Sequence, residues 1–364
     1  MVNHKVSSQM KIKLYVFLAI ILISQNQVAQ VLLNANGPGD TYELINAVLA
    51  PGYNVVEAPD CSHTEFGRHI DEVFDNELNI NVFRFLIHTI PNNDRCINLD
   101  RQRNEIKTYD KSPDNLLGVS GEKVIYKWKF KLPTGFQSSS SFTHIHQLKS
   151  VGGLLESMPM YTLTTRKGSP DKLQLRYAET STQITLKETD LTPFIGTWVE
   201  VTETIEYGLN GTYKIDIQKV SDGTLMFSYL NNSIVNWRAD ASFVRPKWGI
   251  YRSLNNPLNL RDETLLFANF SIEELVTLSV KEIELLQKNV IIYPNPSNQN
   301  VFFTNNSLYP INSIEIFDYL GSVVKVLQPE SNRIIDISNL TSGIYFVVFK
   351  NNQINVGVQK LVIN

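Results

Sequence analysis

The sequence predicts an all-β protein: a large β-jelly roll of the concanavalin-like sandwich kind, followed by a small Ig-like β-sandwich. Three observations carry this. Apolar and polar residues alternate with period two in segment after segment, rich in β-branched and aromatic residues, as in 124–132 (VIYKWKFKL) and 213–220 (YKIDIQKV). Turn formers such as Lys167-Gly168-Ser169-Pro170 and Ser221-Asp222-Gly223 separate these runs. From Ile291 onward a second set of short alternating runs begins behind the stiff stretch Tyr293-Pro294-Asn295-Pro296-Ser297. The 364 residues suit about two domains at roughly 150 residues each.

Composition narrows the function classes. With 43% hydrophobic and 19% charged residues, the chain is globular rather than disordered. With a net charge of -3, nothing points to a general nucleic-acid binder. Two cysteines exclude a disulfide-dense scaffold and a multi-cysteine zinc site.

Residues 1–29 read as a signal peptide. Lys5, Lys11 and Lys13 precede the apolar run 14–24 (LYVFLAIILIS), and Ala29 marks a cleavage point. The run is shorter than the ~20 residues a membrane span needs, so no span is expected after processing. Export makes a Cys61–Cys96 disulfide the expectation. Residues 30–275 form the large β domain, with strands expected at 82–88, 124–132, 142–148, 160–166, 173–179, 198–207, 213–220 and 265–275. Only 66–79 (FGRHIDEVFDNELN) has a helical look there. Residues 276–290 are charged, lack Pro and Gly, and read as a linker with one short helix. Residues 291–364 form the small sandwich, with strands at 313–318, 323–327, 333–338, 344–349 and 358–363.

Three polar clusters stand out, because strands seldom bury this much charge without cause. On a strand over 101–107, Arg103, Glu105 and Lys107 share a face, a cationic row with Glu105 holding the cations in place. Around 143–147, His144 and His146 share a face, which suits a general base or a metal pair. No third ligand stands near them in sequence, so the metal-free reading is preferred. Over 245–252, Lys247, Gly249 and Tyr251 share a face, Gly249 leaves room for a ligand, and the neighbouring cations favour the Tyr251 phenolate.

In this order the clusters resemble the three motifs of jelly-roll polysaccharide lyases. Arg103-Asn104-Glu105-Ile106-Lys107 matches Arg-x-Glu-Leu-Arg with Lys for the last Arg. His144-Ile145-His146 matches Gln-Ile-His with His for Gln. Lys247-Trp248-Gly249-Ile250-Tyr251 matches the end of Tyr-Phe-Lys-Ala-Gly-x-Tyr with Trp for Ala. The wider run over 94–107, with 143–150, 245–254 and 260–263, is similar to the ulvan lyases of polysaccharide lyase family 28. The C-terminal segment resembles the type IX secretion sorting domain through Tyr293-Pro294-Asn295-Pro296, Gly343-Ile344-Tyr345 and Lys360-Leu361-Val362-Ile363.

These resemblances imply an exported enzyme, secreted or held at the cell surface, that meets the type IX machinery and an anionic algal polysaccharide. The implied reaction is endo-acting β-elimination at a uronic acid, leaving a 4,5-unsaturated end. Arg103 and His144 would neutralise the substrate carboxylate, with Gln147 joining them if the strand bulges. Tyr251 would be the acid, and also the base when both events fall on one side of the ring. His146 would be the base for the opposite side. Lys247, Arg176, Arg252 and Lys107 would bind carboxylate or sulfate, with Lys149 and Tyr177 as further subsite contacts. No cofactor is expected for catalysis, and a structural calcium is compatible with such folds. Glucuronan and alginate are the alternative substrates. A glycoside hydrolase would need two carboxylates across a cleft, and Glu203 does not share the face of Glu200 and Glu206. A non-catalytic carbohydrate-binding sandwich is the remaining class.

Overall fold

The computed structural model describes residues 30–275, 287–319, 321–329, 333–352 and 354–364. The expected signal peptide and most of the expected linker helix lie outside the described residues. The chain divides into two compact units at 276/277.

The first unit contains, in chain order, β1 (Gln30–Leu33), α1 (Thr41–Leu49), β2 (Val56–Glu57), β3 (Ile70–Asp75), β4 (Ile80–Ile87), β5 (Arg101–Lys107), β6 (Lys123–Lys131) and β7 (Thr143–Val151). It continues with β8 (Tyr161–Arg166), β9 (Lys172–Tyr177), β10 (Ile184–Asp190), β11 (Val199–Glu206), β12 (Gly211–Lys219), β13 (Leu225–Ile234), β14 (Phe243–Ser253) and β15 (Glu263–Leu275). Two antiparallel sheets result. One runs β13-β12-β11-β6-β15-β4-β3, with β1 added to the end of β15; the other runs β10-β9-β8-β7-β14-β5-β2. This is the jelly-roll sandwich that the alternation predicts.

Strict alternation holds where one face is wet. In β6 every second residue is buried, from Val124 and Tyr126 to Trp128 and Phe130. These side chains, with Phe83, Phe85 and Phe267, meet Ile106, Leu148, Leu163 and Trp248 of the second sheet in one core. Strands β7 and β14 are buried on nearly every residue. One of their faces lies on the core. The other is covered by long polar side chains, and that covered face is where the site lies.

Two local expectations are corrected. Segment 66–79 is not helical: it contains strand β3. Its misleading polarity comes from Glu72, which is buried because its carboxylate accepts the Asn36 and Gly37 backbone N–H groups at 2.7 and 2.6 Å. The helix lies earlier, as α1, where Thr41, Ile45 and Leu49 form its buried stripe at i, i+4 and i+8.

The second unit contains β16 (Val290–Tyr293), β17 (Asn300–Asn305), β18 (Ser313–Asp318), β19 (Val323–Leu327), β20 (Ile334–Asp336), β21 (Gly343–Asn351) and β22 (Ile354–Ile363). Sheets β16-β17-β20 and β19-β18-β21-β22 enclose a separate core that includes Val290, Val301, Ile316, Val347, Phe349 and Leu361. Asn295 of the Pro-rich entry pins itself to the last strand. Its Nδ2 donates to the Lys360 carbonyl at 2.6 Å, and its Oδ1 accepts the Val362 N–H at 2.9 Å.

Cys61 and Cys96 form a disulfide across a sequence separation of 35. In the chain-entropy account, closing such a loop is worth about 3–4 kcal/mol. Replacing both cysteines by serine is expected to lower unfolding stability by about that amount. Urea denaturation of variant and parent checks it, and unchanged stability would contradict it.

Candidate active site

The site is built on β5, β14 and β7, whose register sets which side chains share a face. Against β5, β14 is regular: Lys247 opposes Lys107, Gly249 opposes Glu105 and Tyr251 opposes Arg103. Against β7 it is not. Trp248 opposes His146 but Tyr251 opposes His144, so Gly249 and Ile250 stand across from Ile145 alone. A second irregularity at the same point separates β7 from β8. Ile145 and His146 then both turn to the core, while His144, Gln147 and Lys149 border the pocket. Two successive residues on one side are what a β-bulge produces.

The bulge corrects the reading of His146. Its ring is 1% exposed and lies 4.3 Å from the Trp128 ring. Nδ1 donates to the Lys247 carbonyl at 2.9 Å, and Nε2 meets Glu203 Oε2 at 2.8 Å. Glu203 also accepts the Tyr213 hydroxyl at 2.6 Å. His146 therefore closes a polar knot inside the core and cannot act as a base on a substrate. It also cannot share a metal with His144, which faces the other side. Gln147 takes the place beside His144, as a bulge requires.

Beneath the pocket lies an ion network. Glu105 is fully buried and accepts Arg103 Nη1 at 2.5 Å, Gln147 Nε2 at 2.5 Å and Lys247 Nζ at 3.1 Å. Glu57 binds Lys107 at 2.7 Å and Arg95 at 3.0 Å, and also pairs with Lys247. Asp94 accepts Arg103 Nε at 2.9 Å. Burial alone would raise Glu57 and Glu105, but Lys247 and Arg103 outweigh it and hold both carboxyls below the usual range. Lys107 and Lys247 are committed to this network and do not line the pocket. They support the site rather than contact a ligand, which corrects their assignment as substrate binders.

The pocket above has a volume of about 240 Å³. Tyr251 is at its centre of contacts. The Arg103 guanidinium covers its ring at 3.6 Å, Arg101 Nη1 donates to its hydroxyl at 3.0 Å, and the Phe142 and His144 rings flank it at 5.2 and 5.8 Å. His144 Nδ1 bonds Thr164 Oγ1 at 2.7 Å, and burial pushes the ring down to about 3, so it is neutral near pH 7. The Lys149 ammonium takes part in no hydrogen bond or ion pair among the described residues. Burial, then repulsion from Lys247, Arg245 and Arg103, pushes it down to about 8. Among the described residues lining the pocket there is no Asp or Glu.

Four further assignments change. Arg252 is buried on the core side, where Nε donates to Gln102 Oε1 at 2.8 Å and Nη1 to the Arg261 carbonyl at 2.9 Å. Tyr177 packs on Tyr161 and donates to the Val235 carbonyl at 2.8 Å, so it belongs to the core. Arg176 does not line the pocket, but it holds Gln183, which does, through Nε to Oε1 at 2.9 Å. Gly249 is required by its neighbour strand rather than by a ligand: a Cβ there would stand 2.1 Å from the Asn104 carbonyl oxygen, at a φ of +142°. Arg101, Phe142, Gln183 and the loop 157–159 were missed. Only Arg101 had a signal, two residues from Arg103 on the same strand face.

Residues 291–364 match the family model of the secretion system C-terminal sorting domain, so the second unit carries that domain. Among solved structures, the chain is similar to the endo-β-1,4-glucuronan lyase of the fungus Trichoderma reesei (15% identity, TM-score 0.40, covering 56% of this chain and 86% of that one). It is also similar to the marine PL-14 alginate lyase of Aplysia kurodai (12%, TM-score 0.46, covering 66% and 97%). A third is an alginate lyase of Pseudomonas aeruginosa (12%, TM-score 0.41, covering 60% and 97%). No curated protein sequence matches the chain.

Glu105→Gln keeps the shape but removes the central charge. Stability is expected to fall by about 3–5 kcal/mol, the cost of leaving buried cations uncompensated. The parent's contribution from Glu57 and Glu105 is full above the unfolded carboxyl value of 4.5 and is lost as pH falls below it, because both folded values are depressed. Urea unfolding across this range should therefore be steeper with pH in the parent than in Glu105→Gln, and equal slopes would refute the network's role.

Proposed function

We propose that the first unit is an endo-acting polysaccharide lyase that cleaves a uronic-acid-containing anionic polysaccharide by β-elimination, with ulvan the foremost substrate. Glucuronan and alginate are the alternatives within the class. The observation that carries the reading is the pocket lining: a tyrosine, an unpaired lysine, a neutral histidine, two glutamines and two arginines, with no carboxylate among the described residues. Glycoside hydrolysis in its usual form needs two carboxyl groups at the scissile bond. Elimination needs none. The named activities of the solved structures similar to this chain are in keeping with the reading, and the sorting domain supports export by the type IX route to the cell surface or beyond.

The chemistry follows from what each group can do. The C5 proton of a uronate is weakly acidic until its carboxylate is neutralised. Gln147 spends one N–H on Glu105 and retains another for that carboxylate, beside His144 and the Arg103 charge. A base then takes the C5 proton, the electron pair forms the C4–C5 double bond, and the C4–O4 bond breaks. Tyr251 delivers the proton to the leaving oxygen. Lys149, already pushed down to about 8, replaces His146 as base for a proton on the side away from Tyr251. Tyr251 serves both roles when proton and leaving group share a side.

The test is digestion of ulvan, followed by the ultraviolet absorbance of the new double bond. Tyr251→Phe is expected to lose about 10²–10⁴-fold in turnover. Near-normal turnover would overturn its assignment. Because Lys149 acts in its neutral form, the parent rate should rise with pH through about 8. Lys149→Gln should be slow and should lose that rise; an unchanged profile would remove Lys149 from the chemistry.

A further inference from the structure

Half of the chain's six histidines converge outside the pocket. His63 follows the short turn Asp60–Ser62, His69 stands just before β3, and His88 just after β4. One ring nitrogen from each lies within 4.8 Å of the others. None has a role in the elimination. We propose that His63, His69 and His88 form a binding site for one divalent first-row transition ion, with zinc as the ion that occupies it.

The surroundings of the three rings carry this. His69 is fully buried, and its Nδ1 faces Asp60 Oδ1 at 2.8 Å. With the proton on Nδ1, the Nε2 lone pair points inward, where it accepts Asn92 Nδ2 at 2.7 Å. His88 Nδ1 faces Asn92 Oδ1 at 2.9 Å, which leaves its Nε2 lone pair free. An imidazole whose outer N–H is held by a carboxylate or carbonyl is oriented as metal-bound histidines are. His63 supplies the independent sign: its Nδ1 is buried and has no hydrogen-bond partner. An orphaned buried nitrogen is costly unless something binds it.

The donor set decides the ion. Three neutral imidazoles suit zinc and its neighbours, whereas calcium and magnesium demand oxygen ligands. Both cysteines are in the disulfide and are not donors. One ligand must be displaced: Asn92 Nδ2 donates to His69 Nε2 at 2.7 Å, and the ion takes that place while the Asn92 oxygen keeps His88. A water fills the fourth position of a tetrahedral ion.

The site's place in the fold gives it a use. Segment 88–100 joins β4 to β5 and carries Asp94, which holds Arg103 above Tyr251. Cys96 ties the far part of that segment to Cys61. The ion ties its near end, through His88, to His63 and His69. It acts as a clamp that positions Arg103, with no contact to the reacting atoms.

The test uses untagged full-length protein stripped with a chelator. Calorimetric titration with zinc chloride should show one ion bound per chain, and the melting temperature should rise. Cobalt chloride should give the intense visible absorption of a tetrahedral site. His63→Ala and His88→Ala, with circular dichroism like the parent, should each weaken zinc binding more than tenfold and abolish the thermal shift. His144→Ala should bind zinc as the parent does. Absence of stoichiometric binding overturns the proposal, as does parent-like affinity in both His63→Ala and His88→Ala. Should either variant fail to fold, the cobalt spectrum of the parent decides: octahedral absorption alone would refute the site.

Discussion

The pocket depends on two carboxylates buried beneath it, Glu57 and Glu105. Each is out of water, and each is compensated by cations from neighbouring strands: Arg103 and Lys107 from β5, Lys247 from β14, and Arg95 from the loop before β5. Pairing of this kind does little to favour folding over a well-packed apolar alternative. Its product here is arrangement. Glu105 accepts from Arg103 and Gln147 together, so one buried charge aims a guanidinium over the Tyr251 ring and an amide at the pocket. It also explains Lys149. The carboxylates are consumed by other cations, so Lys149 sits near Lys247, Arg245 and Arg103, forms no ion pair among the described residues, and is only weakly supported by Glu57. A lysine so placed gives up its proton easily. In the proposed reaction, one network thus supplies both the cationic field for a uronate and the lysine assigned as its base.

Much of this was legible in the sequence, and what was not has a local cause. Period-two alternation marked β6, β11 and β12, where one face packs and the other is solvated. It failed for β3, whose buried Glu72 is satisfied by backbone N–H groups that no pattern announces. Arg103, Glu105, Lys107, Lys247 and Tyr251 do share a face, as strand geometry dictates for i and i+2. His144 and His146 do not, because period two is valid only within an unbroken strand, and the bulge at Ile145 resets it. Arg252 was assigned to the site for its charge, although the same rule sets it opposite Tyr251, on the core side where it lies. Charge in a strand was read as ligand contact, whereas much of it serves to neutralise other charge.

Sequence distance concealed the rest. His63, His69 and His88 are spread over three segments, and only the pairing of β3 with β4 and the loop packing bring them together. Cys61 and Cys96 were paired on the grounds of export and are bonded. Both sets converge on the segment that carries Asp94, the partner of the arginine that covers Tyr251.

The central claim is that this pocket breaks a glycosidic bond by elimination, without water as a reactant. The most direct measurement is mass spectrometry of the oligosaccharides released from ulvan in water enriched with heavy oxygen. The account predicts that every cleavage leaves an unsaturated uronate end and that no solvent oxygen enters the new ends. One solvent oxygen incorporated per cleavage, or ulvan, glucuronan and alginate all left intact by the folded protein, would contradict it.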